Sequence, residues 1–472
     1  MTDPNEPGLK DPSRAPFRWV PFLSRHFIVL VTLLALLIYM FTYFEGCFGS
    51  PIRADGAGYY IYLPSYVLHG DPSFKRVADQ QYGGQIPGWT GVGLYAATDR
   101  YLNRYSAGVA IMMLPFFLVA HVLTWLFQSP PGGFDWWRFN HAMDGYTLFY
   151  QHAAGLAGLF YMVAGLGILK KSLERMFTPG VVLATLSALL MGTNLLHYGS
   201  GESVLSHPYS FFLFAVLLCA TDSWHEDPGS WRRAAALGLV AGMIALVRLP
   251  NAIVFMLIPM YGLARWPDVP RKARLLGSHI GQLALMVGVA VLLFGLQVAL
   301  NRYATGRWVL DPYRLQNQAY GFAFFSPQIM AVLFSLKRGV FFWSPVLLAC
   351  LPGLYVMWKM RSPLCSGVSI LLALHLWIVS SWFMWWYGGG FGHRGFVEFY
   401  AVMAIPWATF AASLKTKGSR ALLAIFTLCA VIWSLVLLKL YYTREISFDG
   451  LNRQALFDIV WLRKNLVLRL LR

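Results

Sequence analysis

The chain predicts an all-α polytopic membrane protein. Of its 472 residues 57% are hydrophobic, 16% aromatic and only 12% charged. With a mean hydropathy of +0.53, it falls outside the balance of a water-soluble globule. Apolar runs of spanning or near-spanning length recur at 27–44, 105–127, 150–169, 180–197, 206–221, 234–247, 251–264, 276–300, 341–358, 364–383, 396–413 and 419–441.

Residues 1–26, which include the polar, proline-rich MTDPNEPGLKDPSRAPFRW, are expected to form a disordered cytoplasmic head. The run 27–44 ends in Phe44-Glu45 with no small-residue cleavage site, which predicts a retained signal-anchor opening a transmembrane domain over 27–441. The net charge of +17 is scattered over short loops, so it reads as a topology signal and not as a nucleic-acid surface. Five cysteines, at 47, 219, 350, 365 and 429, have no CxxC or Cys/His metal spacing and read as core filler.

With the N-terminus inside, the basic loops KKSLERMF (170–177), RWPDVPRKAR (265–274), WKMR (358–361) and SLKTKGSR (413–420) face the cytoplasm. The alternation is consistent if 105–127 does not cross. Pro115 in its middle, with Tyr105 and Trp125 near its ends, makes it a dipping or interfacial helix. About eleven crossings result. The stretches 45–149, 198–205, 301–340 and 384–395 then share the outer side, and the tail 442–472, in which apolar residues interleave with Arg and Lys, is expected to lie on the membrane as an amphipathic helix.

The outer stretches concentrate chemistry. Asp55 follows the first span, one glycine from the tyrosines at 59, 60 and 62; DRYLNRYSAG adds Arg104; HYGSGESVLSHPYS adds Glu202 and His207. SLKRGVFFWSP carries Lys337 and Arg338, and WWYGGGFGHRGFVEFY carries Tyr387, His393, Arg394 and Glu398. Arg248, within ALVRLPNAIV, is expensive in an apolar setting unless a carboxylate or a ligand phosphate meets it. Carboxylates can take a proton from a hydroxyl, cations can hold a phosphate and stabilise its leaving charge, and aromatic faces can stack on sugars. The set fits transfer of a sugar from a membrane-embedded lipid phosphate, and fits a channel poorly.

Asp55 after the first span, GYYIYLPSYVLHGD, NRYSAGVAIMMLPFFLVAHVL, GTNLLHYGSGESVLSHPYSFFLF and ALVRLPN together resemble the GT-C superfamily of membrane glycosyltransferases, nearest to bacterial relatives of the protein O-mannosyltransferases and aminoarabinose transferases. The resemblance runs from about residue 27 to about 413 in order of elements, and none of its motifs is as specific as a zinc-finger spacing. It implies a GT-C-like helix bundle and a polyprenyl-phosphate-linked sugar donor. It also implies a lipid, glycan or protein acceptor and a site on the periplasmic face of a bacterial cytoplasmic membrane. Asp55 becomes the catalytic base, acting in an inverting single displacement. Relatives often carry two adjacent acids here, whereas Ala54 and Gly56 flank Asp55, so a divalent metal such as Mg or Mn is allowed but not required.

Arg104, Lys337, Arg338, Arg394 and Arg248 are the candidates for the donor phosphate, and Tyr59, Tyr60, Glu202, His207, His393 and Tyr387 for sugar or acceptor. Competing roles stand beside these. Glu202 could cap the next helix, His207 and His393 could serve as structural hydrogen-bond partners, and Lys337 and Arg338 could snorkel. Arg394 could pair with Glu398 at i+4, and the residues at 382–387 could form an interfacial belt. A transporter or flippase using the same cavity, or an O-antigen-ligase-like enzyme on a lipid diphosphate, are the alternative functions.

Overall fold

A computed structural model describes residues 19–44, 49–127, 142–316 and 321–457. Helix α1 (Val20–Phe44) leads to a short α2 (Asp55–Tyr60), α3 (Lys75–Tyr82), a hairpin of β1 (Val92–Tyr95) and β2 (Arg100–Asn103), and α4 (Gly108–Leu126). Then come α5 (Leu148–Glu174), α6 (Pro179–Met191), α7 (Leu195–Ser200), α8 (Ser206–Glu226) and α9 (Trp231–Val247). Past a 3-10 segment (Leu249–Met256) follow α10 (Leu257–Met260), α11 (Asp268–Ser278) and α12 (Ile280–Thr305). The last part holds α13 (Tyr313–Gln316), α14 (Ile329–Phe334), α15 (Val340–Trp343), α16 (Cys350–Lys359), α17 (Cys365–Ser381), α18 (Tyr400–Ser413), α19 (Lys417–Tyr442) and α20 (Arg453–Phe457).

Five described helices, α1, α4, α5, α12 and α19, are long and apolar enough to cross a membrane, and five shorter apolar ones join them. Length and composition therefore account for four of the roughly eleven crossings that the loop charges suggest, α4 being a fifth helix of spanning length that the loop charges leave out. In α12 only 11% of the most apolar window is buried inside the protein, so Val287, Val291 and Leu292 face outward to lipid. Local signals fix the ends: Thr416 caps α19 by accepting from the Ser419 amide at 3.1 Å, Pro179 opens α6, and Gly306 ends α12 in the left-handed region.

The helices pack as α9 on α12, α5 on α8, α16 on α18 and α8 on α9. Small residues set the closest approaches: a Cβ on Gly158 of α5 would stand 1.8 Å from the Ser203 carbonyl oxygen. Trp224, Trp343, Trp407, Tyr198 and Tyr209 fill the interior.

Helix α4 starts against the backbone of Leu246 and Val247 at the end of α9. It receives a hydrogen bond at the Met112 carbonyl from Tyr161 midway along α5, and Phe127 at its far end stacks on Phe149 at the first turn of α5. It thus runs back along the leading half of α5, and Pro115 is absorbed within it.

Two boundaries differ from the sequence reading. Helix α1 begins at Val20 and not at residue 27: Ser24 donates to Glu174 at 3.2 Å and Phe22 packs its ring on His26, so the start of α1 is held to the end of α5. Residues 1–18 lie outside the described residues. The tail does not continue as a surface helix from 442: after α19 the chain turns back, burying Ile446 and Leu451 with Trp343, Phe391 and Leu440, and only Arg453–Phe457 is helical before 458–472, which lie outside the described residues. Cys47 is likewise outside them, and the four described cysteines are free.

Candidate active site

All four stretches assigned to the outer side meet at one end of the bundle. Arg53 reaches Glu202 at 3.3 Å and Asp55 reaches Arg394 at 3.0 Å. Arg104 lies over the Tyr313 ring at 5.6 Å, and Gln316 donates to the carbonyls of Gly91 and Leu102 at 3.2 and 2.8 Å.

Asp55 opens α2 behind Ala54, whose φ of 46° is a left-handed conformation that a residue with a Cβ adopts only under strain. Glycine at 58 is required by close packing: a Cβ would stand 2.2 Å from the Thr90 carbonyl oxygen and 2.6 Å from the Tyr105 ring. Behind it the β1–β2 hairpin pairs Val92 with Asn103, Asn103 donates to the Gly58 carbonyl at 2.7 Å, and the chain leaves β2 into Arg104 and Tyr105. Arg104 bonds the Tyr105 hydroxyl at 3.0 Å, the Tyr105 ring packs on Tyr59 at 4.5 Å, and Tyr59 donates to Ser206 at 3.1 Å.

From the other side, Arg394 is fastened at Nε to the Tyr387 carbonyl at 2.7 Å, with Tyr387 itself at a φ of 59°. Arg248 leaves the end of α9 in extended backbone just before Pro250, donates to Glu398 Oε1 at 3.1 Å and lies over the Tyr387 ring at 5.4 Å. Glu398 Oε2 also meets His207 at 3.0 Å. A carboxylate is therefore the partner of Arg248. The i+4 pairing of Arg394 with Glu398 does not form, because Arg394 turns to Asp55.

Asp55, Tyr59, Arg104, His207, Arg248, Tyr387 and Arg394 line one cavity of about 580 Å³. Leu249, Ile253, Phe322, Phe324, Ile378, Trp382 and Phe383 line the same cavity and make much of its wall apolar. Burial works against ionising Asp55, but Arg394, the Tyr105 hydroxyl and Arg104 outweigh it and hold the carboxyl below its ordinary range.

The remaining expected site residues do not line this cavity. Tyr60 is buried with its hydroxyl on the Gly145 carbonyl and its ring on Tyr146. Glu202 sits behind the site between Arg53 and His197, where burial is outweighed by His197, Arg53 and Arg394, and its carboxyl falls to about 2. His393 is buried against the Trp385 carbonyl at 3.0 Å, and burial together with neighbouring His375 lowers it to about 3, so it is neutral. Lys337 covers the Trp386 ring at 4.0 Å and pairs with Asp449 at 3.8 Å, while buried Arg338 donates to the Phe448 carbonyl. Their charges secure the returning segment after α19. Tyr105, Tyr313, Asp311 and Ser206, not among the candidates, do line the cavity. Tyr105 follows Arg104 in sequence, which was the available signal.

Among the described residues no three His, Cys, Asp or Glu side chains converge on a point that could hold a metal ion. The side chains around Asp55 do not suit a divalent ion, because its oxygens face two guanidinium groups and a hydroxyl.

The fold is similar to that of a solved archaeal membrane oligosaccharyltransferase. It superimposes on the archaeal oligosaccharyltransferase AglB from Archaeoglobus fulgidus in complex with an inhibitory peptide and a dolichol-phosphate, with a TM-score of 0.50 and 11% identity over 94% of this chain. Two further structures of the Archaeoglobus fulgidus oligosaccharyltransferase behave alike. One, tethered to an acceptor peptide, gives a TM-score of 0.51 and 12% identity over 94% of this chain; one in complex with Zn and sulfate gives 0.50 and 14% over 93%. The chain spans between 55% and 58% of the length of those chains. No protein-family model and no curated protein sequence matches it.

Proposed function

We propose that the protein is a membrane glycosyltransferase that moves a sugar from a polyprenyl-phosphate-linked donor to a hydroxyl of a lipid, glycan or protein acceptor. The observation that carries this reading is the joining of Asp55, Arg104, Arg248 and Arg394 in one cavity whose wall is otherwise largely apolar. A lipid-phosphate sugar needs both kinds of lining: cations for the phosphate, and apolar side chains for the first units of the lipid. Asp55 takes the proton of the acceptor hydroxyl as its oxygen attacks the anomeric carbon. Arg394, Arg104 and Arg248 meet the charge that grows on the departing phosphate oxygen. Inversion in one displacement needs only Asp55 as base, since the leaving phosphate needs no acid. The dolichol-phosphate in the AglB complex supports a lipid-phosphate occupant for this fold. The site is placed on the periplasmic face of a bacterial cytoplasmic membrane, with the N-terminus inside. An O-antigen-ligase-like reading would want Lys337 and Arg338 at the reacting phosphate, and neither lines the cavity.

The test is transfer of radiolabelled sugar from synthetic polyprenyl-phosphate donors to host membrane extract by purified protein, wild type against Asp55→Asn at equal folded yield. Transfer that falls at least 100-fold in the variant is expected; equal transfer by both would remove Asp55 from the chemistry, and no transfer with any donor would favour the transporter alternative.

A further inference from the structure

Asp55 is read above as the base, yet it is already spoken for. Its Oδ2 stands 3.0 Å from Arg394 Nη1, and Arg104, Tyr105, Tyr59 and Tyr313 are the other charged or titratable groups around it. A carboxylate held this way is a poor proton acceptor, because protonation would leave the guanidinium without its counter-charge. The transfer reaction itself supplies a replacement. As the acceptor O–H proton passes to Asp55, the acceptor oxygen bonds to the anomeric carbon, and the electron pair of the breaking carbon–oxygen bond stays on the phosphate. One negative charge is lost at Asp55 and one is gained on the lipid phosphate.

Arg394 is built to follow that charge. Its Nε is tied to the Tyr387 carbonyl at 2.7 Å, which anchors a planar guanidinium fork whose terminal nitrogen meets Asp55 at 3.0 Å, and the side chain lines the same cavity as the apolar residues, so one fixed fork can serve either anion. Arg248 is less suited to exchange, since its partner Glu398 is only 1% exposed and does not line the cavity, whereas Asp55 does. We propose that Arg394 is a shared counter-ion that exchanges between Asp55 and the phosphate of the lipid-linked donor, so that the base is released only once the donor is seated. The inference rests on the lipid-phosphate reading of the cavity. It makes binding ordered: the donor arrives before the acceptor can be deprotonated, and an acceptor alone meets a base that is neutralised.

The test is binding of decaprenyl phosphate, without sugar or acceptor, to wild type, Asp55→Asn, Arg394→Gln and the double variant in detergent, with Asp55→Ser carried alongside in case the amide distorts the loop. Exchange predicts that Asp55→Asn binds about tenfold more tightly than wild type, since Arg394 no longer has to leave a carboxylate, and that the gain vanishes in the double variant. Equal or weaker binding by both folded Asp55 variants would overturn the exchange while leaving the site's reading intact. Folded wild type that binds no lipid phosphate would overturn that reading, and the exchange with it.

Discussion

Asp55 must be ionised to accept a proton, and its surroundings keep it so at unusually low pH. Because Arg394 is the largest influence lowering its pKa, transfer by wild type should stay level from neutral pH downward and fall only as pH drops through that depressed value, below the ordinary 3.8. Arg394→Gln removes that influence, so the acid limb of the rate profile should move upward. Rates of both proteins followed from about pH 8 down to about pH 3 decide it; a limb unmoved in Arg394→Gln would mean that another group governs ionisation. Asp55, Arg104, Arg248 and Arg394 stood out in the sequence because charges are scarce in so apolar a chain and each costs energy there unless paired. Lys337 and Arg338 stood out for the same reason, and spacing could not reveal that Asp449, Trp386 and Phe448 would claim them. Tyr313 was hidden among 24 tyrosines.

At the scale of elements, two glycines separate stability from chemistry. Gly158→Ala would drive a methyl into the Ser203 carbonyl and push α5 from the loop ahead of α8, at a cost of about 1–3 kcal/mol. It should lower the thermal unfolding midpoint in detergent. Gly58→Ala meets Thr90 and the Tyr105 ring instead, shifting the platform that carries Arg104. It should cost about 100-fold in transfer, as a displacement near 1 Å at a reacting site can. A Gly58→Ala enzyme with unaltered rate would show that the hairpin does not set the site. The long apolar helices were legible from hydropathy, but β1 and β2 were not: their pairing depends on contacts with Ser73, Gly58 and Gln316, remote in sequence.

For the whole molecule, the convergence of the segments around 53–55, 202, 313–316 and 394 requires that all four emerge on one side of the membrane. Cysteine substituted at exposed Asp99 should react with an impermeant maleimide in intact spheroplasts, whereas one at Arg271 should react only after the membrane is opened. Labelling of both from outside would refute the proposed orientation. Loop charge made the sidedness readable. The course of α4 alongside α5 was not legible: loop charge, Pro115 and the aromatic ends pointed only to a dipping or interfacial helix, and its length and composition are equally those of a crossing one.

The segment that turns back after α19 has a practical meaning. The Phe448 carbonyl receives both Arg338 and the Gly390 amide, the latter at 2.9 Å, and Gly390 belongs to the loop that ends at Arg394. A protease that cuts after Arg444, which sits between α19 and this segment, would sever the fastening without touching any helix of the bundle. Nicked protein should therefore run intact on gel filtration yet lose transfer activity. For the same reason, affinity handles for purification belong at the N-terminal end, away from the strand of chain that steadies the arginine at the reacting centre.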